Sequence, residues 1–243
     1  MAWSYFASPA TFFRLAGRLA PAFYALAAMV CAAGLYVAFV VAPTDAQQGE
    51  VYRIIFIHVP AAWMSMFLYL VMAAYSAISL TFNTRLAAMM ARALAPTGAM
   101  FTFVALWTGS FWGRPTWGTY WAWDARMTSE LVLLFLYFGF VALANAFEDP
   151  RRGDRAAALL SLIGVVNLPI IYFSVQWWNT LHQGSSVNMR GTSMHVAMLW
   201  GMLLMAFGFW MYSIATALTR VRSIILEREA RTRWVRALGQ AAP

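Results

Sequence analysis

Three histidines occur in this 243-residue chain, and two of them, His58 and His182, bracket a segment dense in tryptophan. That segment runs Trp112-Gly-Arg-Pro-Thr-Trp117-Gly-Thr-Tyr120-Trp121-Ala-Trp123-Asp124 and holds four of the chain's 12 tryptophans. Indoles supply flat apolar surface with an N–H at one edge, and glycine and proline let a backbone approach a ligand closely. Such a surface suits a large planar molecule. A belt of interfacial rings at headgroup depth explains some tryptophans in any membrane protein, but not this density between Gly113, Pro115 and Gly118. Imidazole suits iron, so two histidines flanking an aromatic platform read as axial ligands for haem.

The neighbouring charges have more than one reading. Asp124 either caps the helix that follows or pairs with Arg126, or else it acts directly at the ligand. Arg53, Arg114, Arg126 and Arg190 are the cations on the histidine side, and any of them can pair bidentately with a haem propionate. His195, at the start of the last apolar stretch, reads as a structural hydrogen-bonding group. A zinc site fits less well, because the only cysteine, Cys31, lies in an apolar run and no carboxylate pair stands beside the histidines. A CxxCH motif for covalent haem attachment is absent from the sequence.

The elements that must position these residues are membrane spans. The chain is 62% hydrophobic and 11% charged, with a mean hydropathy of +0.63, which excludes an ordinary soluble domain. A crossing helix needs about 20 mostly apolar residues. Six stretches qualify, at about 20–42, 59–81, 93–111, 128–147, 156–175 and 194–218. The fold expected is therefore an all-α integral membrane protein, one six-helix bundle spanning 1–243, with a tryptophan-rich loop at 112–127.

Charge sets the expected orientation. The net charge of +8 comes from 17 arginines, and these cluster between spans rather than in a nucleic-acid-binding patch. Thirteen lie in the two termini and the second and fourth connections, and four in the others, which places both termini in the cytoplasm. Connections 43–57, 112–127 and 176–193 then face the far side of the membrane.

Local pattern adds three expectations. Ser8-Pro9 opens a separate amphipathic helix along the inner surface, with Arg14 and Arg18 on its polar face. The tail carries Glu227/Arg231 and Glu229/Arg233 at i,i+4 spacing, a solvated helical extension. Asn167-Leu168-Pro169 kinks the fifth span. The spans otherwise hold almost no ionisable groups, which counts against ion-coupled transport.

These residues resemble a known family. Trp112-Gly113, Trp117-Gly118 and Trp121-Ala-Trp123-Asp124-Ala-Arg126-Met-Thr128-Ser129-Glu130-Leu131 are similar to the tryptophan-rich "WWD" signature of haem-handling proteins in cytochrome c biogenesis. Six spans, His58-Val-Pro60 before the second and His182 in the last external connection resemble the small CcmC (haem exporter protein C) branch. The resemblance implies transient binding of haem b at the periplasmic face of a bacterial inner membrane. It implies delivery to the haem chaperone CcmE, beside the ATP-binding cassette subunits CcmA and CcmB and the small protein CcmD. His58 and His182 would be the axial ligands, and Trp112, Trp117, Trp121, Trp123, Asp124 and Arg126 would form the loop that positions haem. No catalytic role follows, and the sequence carries no nucleotide-binding motif. Two rival readings are a permease that itself moves haem and a membrane b-type cytochrome.

Overall fold

The computed structural model describes residues 8–178, 180–182, 187–188, 191–192 and 194–240. Among them are six helical segments long and apolar enough to cross a membrane. They are α1 (Pro9–Tyr36, extended by a π-turn at Val37–Val41), α2 (Ile55–Phe82, led in by a 3-10 turn at Glu50–Ile54), α3 (Arg85–Trp117) and α4 (Ala125–Asn145), then a fifth segment of two helices, α5 (Pro150–Gly164) and α6 (Asn167–Trp177), and finally α7 (Val196–Arg228). A short helix α8 (Arg233–Gln240) follows. The all-helical reading holds apart from a two-residue antiparallel pairing of β1 (Val187–Asn188) with β2 (Gly191–Thr192).

Small residues set how the bundle closes. Ala20, Ala27 and Gly34 on α1 and Gly201, Gly208 and Ala215 on α7 each recur every seventh residue, and all six are buried. Two such stripes let backbones approach closely, which replaces the hydrophobic drive that lipid does not supply. The approach is tight: a Cβ added at Gly208 would stand 2.4 Å from Cys31 Sγ. On the other side, α2 packs along α3, and α4 packs against α5 and α6. Tyr69, Tyr137, Met72 and Leu133 are fully buried between these helices.

Several expectations change. The amphipathic segment and the first span are one continuous helix, because Ala16 and Ala20 extend the α1 stripe onto the end of α7. Arg222 of α7 lies over the Phe13 ring, 4.5 Å from its centroid. The i,i+4 pairs of the tail do not form, since α7 ends at Arg228 and Glu229 turns inward. There Glu229 accepts a hydrogen bond from Trp234 Nε1 (2.9 Å) and pairs with Arg85 at 3.8 Å. The fifth span breaks at Val165–Val166, just ahead of Pro169, whose missing N–H leaves the Val165 carbonyl to accept from Leu168 N–H (3.0 Å) in a tighter turn.

The 112–127 loop is also shorter than expected. Helix α3 continues through Gly113 and Pro115 to Trp117, and Gly118, at φ 78°, ends it with its N–H donating to Arg114 O (3.1 Å). With no Cβ, glycine adopts that left-handed cap without strain. Residues 118–124 are then the true loop, because Asp124 already caps α4.

Candidate functional site

His58 lies inside the first turns of α2 rather than in a loop before it. Its Nδ1–H donates to Ala105 O (3.0 Å), with Thr108 Oγ1 at 3.1 Å. The Thr108 hydroxyl donates in turn to Val104 O (2.6 Å), so its lone pairs face the imidazole. A carbonyl only accepts, so the proton resides on Nδ1 and the lone pair on Nε2, which has no hydrogen-bond partner among the described residues. Gly109 makes room for this ring: a Cβ there would stand 2.9 Å from His58 Cε1. Trp112 meets it edge-on, with ring centroids 5.6 Å apart.

His182 is held in the same way from a different element. Its Nδ1–H donates to Asp124 Oδ2 (3.2 Å), leaving Nε2 likewise without a partner among the described residues. Trp117 packs against the ring at 4.7 Å. Asp124 resolves its alternatives by doing two things at once. Its Oδ1 accepts the Met127 N–H (2.8 Å) and caps α4, while Oδ2 takes His182 and the Leu181 N–H (3.3 Å). It forms no ion pair with Arg126 among the described residues. Burial depresses the His182 pKa, against the opposing pull of the Asp124 carboxylate. The neutral form, the one that can ligate a metal, is thereby favoured.

The two imidazoles share a cavity with Ala62, Gly109, Arg126 and Glu130. Glu130 is buried and accepts from Ser65 Oγ (2.7 Å), and Tyr137 Oη donates to Ser65 O (2.7 Å), a polar line running from the cavity into the bundle. The geometry also sorts the arginines. Arg53 is taken up by Glu50 and the carbonyls of Ala38 and Ala42, and Arg114 by Gly118 O. Arg190 lies outside the described residues. Arg126 lines the cavity, with only Ile171 O as a hydrogen-bond partner at 3.4 Å among the described residues. His195 caps α7 by accepting the Ala197 N–H (3.2 Å), a structural role.

The remaining indoles form the rim. Trp121 and Trp123 meet edge-on at 5.2 Å, and Trp123 is 77% exposed. Trp121 Nε1 is buried without a hydrogen-bond partner among the described residues, beside an open aromatic face. Trp112 Nε1 is satisfied by Gln48 Oε1 (2.7 Å). The sequence reading missed Gln48, whose part is set by a fold-dependent contact with α3, and also Gly109 and Ser65. Only Gly109 left a sequence signal, as a glycine in a helix interior.

A haem group meets this donor set well: two Nε2 lone pairs, one unpaired arginine, one orphaned indole N–H and exposed rings. Its size does not match the space enclosed between the imidazoles, which is about 30 Å³, room for one water. Haem held by both imidazoles would need them to stand farther apart.

Known proteins carry the same chain almost end to end. Residues 2–236 match the family described as Heme exporter protein C. The Heme exporter protein C of Escherichia coli (strain K12) is 49% identical over 234 residues, 96% of this chain and 94% of that one. The protein of that name from Bradyrhizobium diazoefficiens is 49% identical over 227 residues, 93% of this chain and 86% of the relative. That from Haemophilus influenzae is 44% identical over 236 residues, 97% and 96% of the two. On a match that spans the histidines, the tryptophan segment and all six helices, the chain belongs to the haem exporter protein C (CcmC) family.

Proposed function

We propose that this chain binds haem b transiently at the periplasmic face of the bacterial inner membrane and presents it to the haem chaperone CcmE. CcmA, CcmB and CcmD are its proposed neighbours in the membrane. One observation carries the reading: two imidazoles from separate elements share a cavity, each with Nδ1 engaged and Nε2 without a partner among the described residues. Ligating histidines are usually held through their second nitrogen in this way. Haem supplies the iron that these lone pairs bind. Arg126 stands where a propionate can pair with it, and Trp123 offers an open face on which a partner can meet the ring. The chain's part is binding and presentation rather than catalysis.

The rivals draw less support. A haem permease needs a polar route across the bundle, and the line Glu130–Ser65–Tyr137 meets the Tyr69 ring, whose buried hydroxyl has no partner among the described residues. A b-type cytochrome holds haem deep between helices, whereas His182 lies in a connection at the edge.

The function is read from the absorbance of the purified full chain, produced with and without the chaperone. Without it, the chain carries a haem b spectrum; with it, haem moves to the chaperone. Haem content indifferent to the chaperone, with an absorbance change on quinone addition, would instead identify an electron carrier.

Orientation has its own test. Both termini are expected in the cytoplasm, so alkaline phosphatase fused after residue 240 is inactive and a fusion in 178–194 is active. Activity at the tail would move the histidines to the wrong compartment.

A further inference from the structure

A second cavity lies at the opposite, arginine-rich end of the bundle, where α3, α4 and α7 meet. It encloses about 250 Å³. Its polar wall is Arg92, Asn145, Arg220 and Ser223, with Arg92 donating to Asn145 Oδ1 and to Ala144 O (3.1 Å), and its apolar wall includes Pro96, Phe140, Val141 and Ile224. None of these residues touches the histidine site.

The charges around this cavity do not balance. Arg92 and Arg228 share a single carboxylate, Asp154, at 3.5 Å from Arg92 Nη1 and 2.8 Å from Arg228 Nη2. Arg220 pairs with no carboxylate among the described residues. Its Nη1 donates instead to Thr97 Oγ1 and to Ala93 O (3.4 Å), which holds one edge of the guanidinium against α3 at the cavity wall. Glu227 is exposed and lies within 4 Å of none of them. Two guanidiniums thus share one carboxylate while a third, Arg220, has no carboxylate partner among the described residues.

We infer that this cavity binds the phosphate of an anionic phospholipid between Arg92 and Arg220, with an acyl chain lying along Phe140, Val141 and Ile224. Basic pockets between spanning helices recognise anionic headgroups in this manner. Drug-sized ligands usually need about 300–1,000 Å³, so the space favours a headgroup over a whole planar macrocycle. A free inorganic phosphate shares the charge chemistry but makes no use of the apolar wall.

The test uses the full chain in phosphatidylcholine nanodiscs doped with phosphatidylglycerol, with retained lipid counted by native mass spectrometry. Wild-type protein should retain phosphatidylglycerol selectively, and Arg220→Gln should lower that retention about fivefold, the worth of one arginine at a membrane surface. Ile224→Trp keeps every charge but fills the apolar wall, and should lower retention as well. Arg151→Gln, an exposed arginine outside the cavity, should behave as wild type. Haem retention at the other end reports that each variant is folded. Unchanged lipid retention in either folded variant overturns the inference. Displacement of the lipid by inorganic phosphate as complete as that by added phosphatidylglycerol also overturns it, because the site would then recognise phosphate alone. Should Arg220→Gln fail to fold, Ile224→Trp alone decides.

Discussion

Alanine at His58 or at His182 is expected to strip haem from the purified protein, and alanine at both should do little more than the worse of the two. Losing an outer partner of a metal ligand costs about 10- to 100-fold in affinity, so losing the ligand itself should cost at least that. The double variant adds little because two ligands of one iron act as a unit, which makes their effects non-additive. Added imidazole should partly restore the haem spectrum of either single variant, because the lost group is a free lone pair rather than a structural contact. The measurement is haem per folded protein, from absorbance and protein content. His58→Ala carrying wild-type haem would remove that residue from the iron. Strictly additive losses would point to two separate haem sites rather than one.

Asp124→Asn should lower haem retention by about 10- to 100-fold with folded protein near normal, since Asp124 is an outer partner of a ligand. The physical reason lies in the two ends of the amide. Asparagine caps a helix about as well as aspartate, so the bond from Met127 N–H survives through Oδ1. The atom facing His182 then becomes an NH₂ donor, opposed to the Nδ1–H that Asp124 now accepts. The imidazole must turn away or shift its proton to Nε2, and either change removes the lone pair that iron needs. Tryptophan-to-phenylalanine changes provide the comparison. At Trp123, exposed and peripheral to folding, transfer to the chaperone should fall while protein level holds. If protein and transfer were to fall in step at Trp112, Trp117, Trp121 and Trp123, the indoles would be an interface belt only. Wild-type haem content in Asp124→Asn would leave Asp124 as a cap alone.

The spans were legible because burial in lipid demands length and apolarity, and the sequence displays both directly. The number of spans, the family signature and the choice of His58 and His182 follow from residue type, spacing and order alone. Element limits were not legible. Helix α3 runs on through Gly113 and Pro115, residues that end helices in water, where Thr116 Oγ1 donates to Trp112 O (2.7 Å) and Arg114 to Gly118 O at the last turn. Helix α1 absorbs the segment that looked like a surface helix, because the α7 stripe that holds it is about 190 residues away in sequence. The same holds at the site. Asp124 stood as a cap or as a ligand group until the fold brought residue 182 to it across 58 positions. Arg126 was one cation among four until the fold occupied Arg53 with the carbonyls of Ala38 and Ala42 and Arg114 with the cap of its own helix. Sequence carries what each side chain can do and what solvent it tolerates. Which nitrogen of each histidine is left free depends on hydrogen bonds between distant elements, and only the tertiary structure decides it.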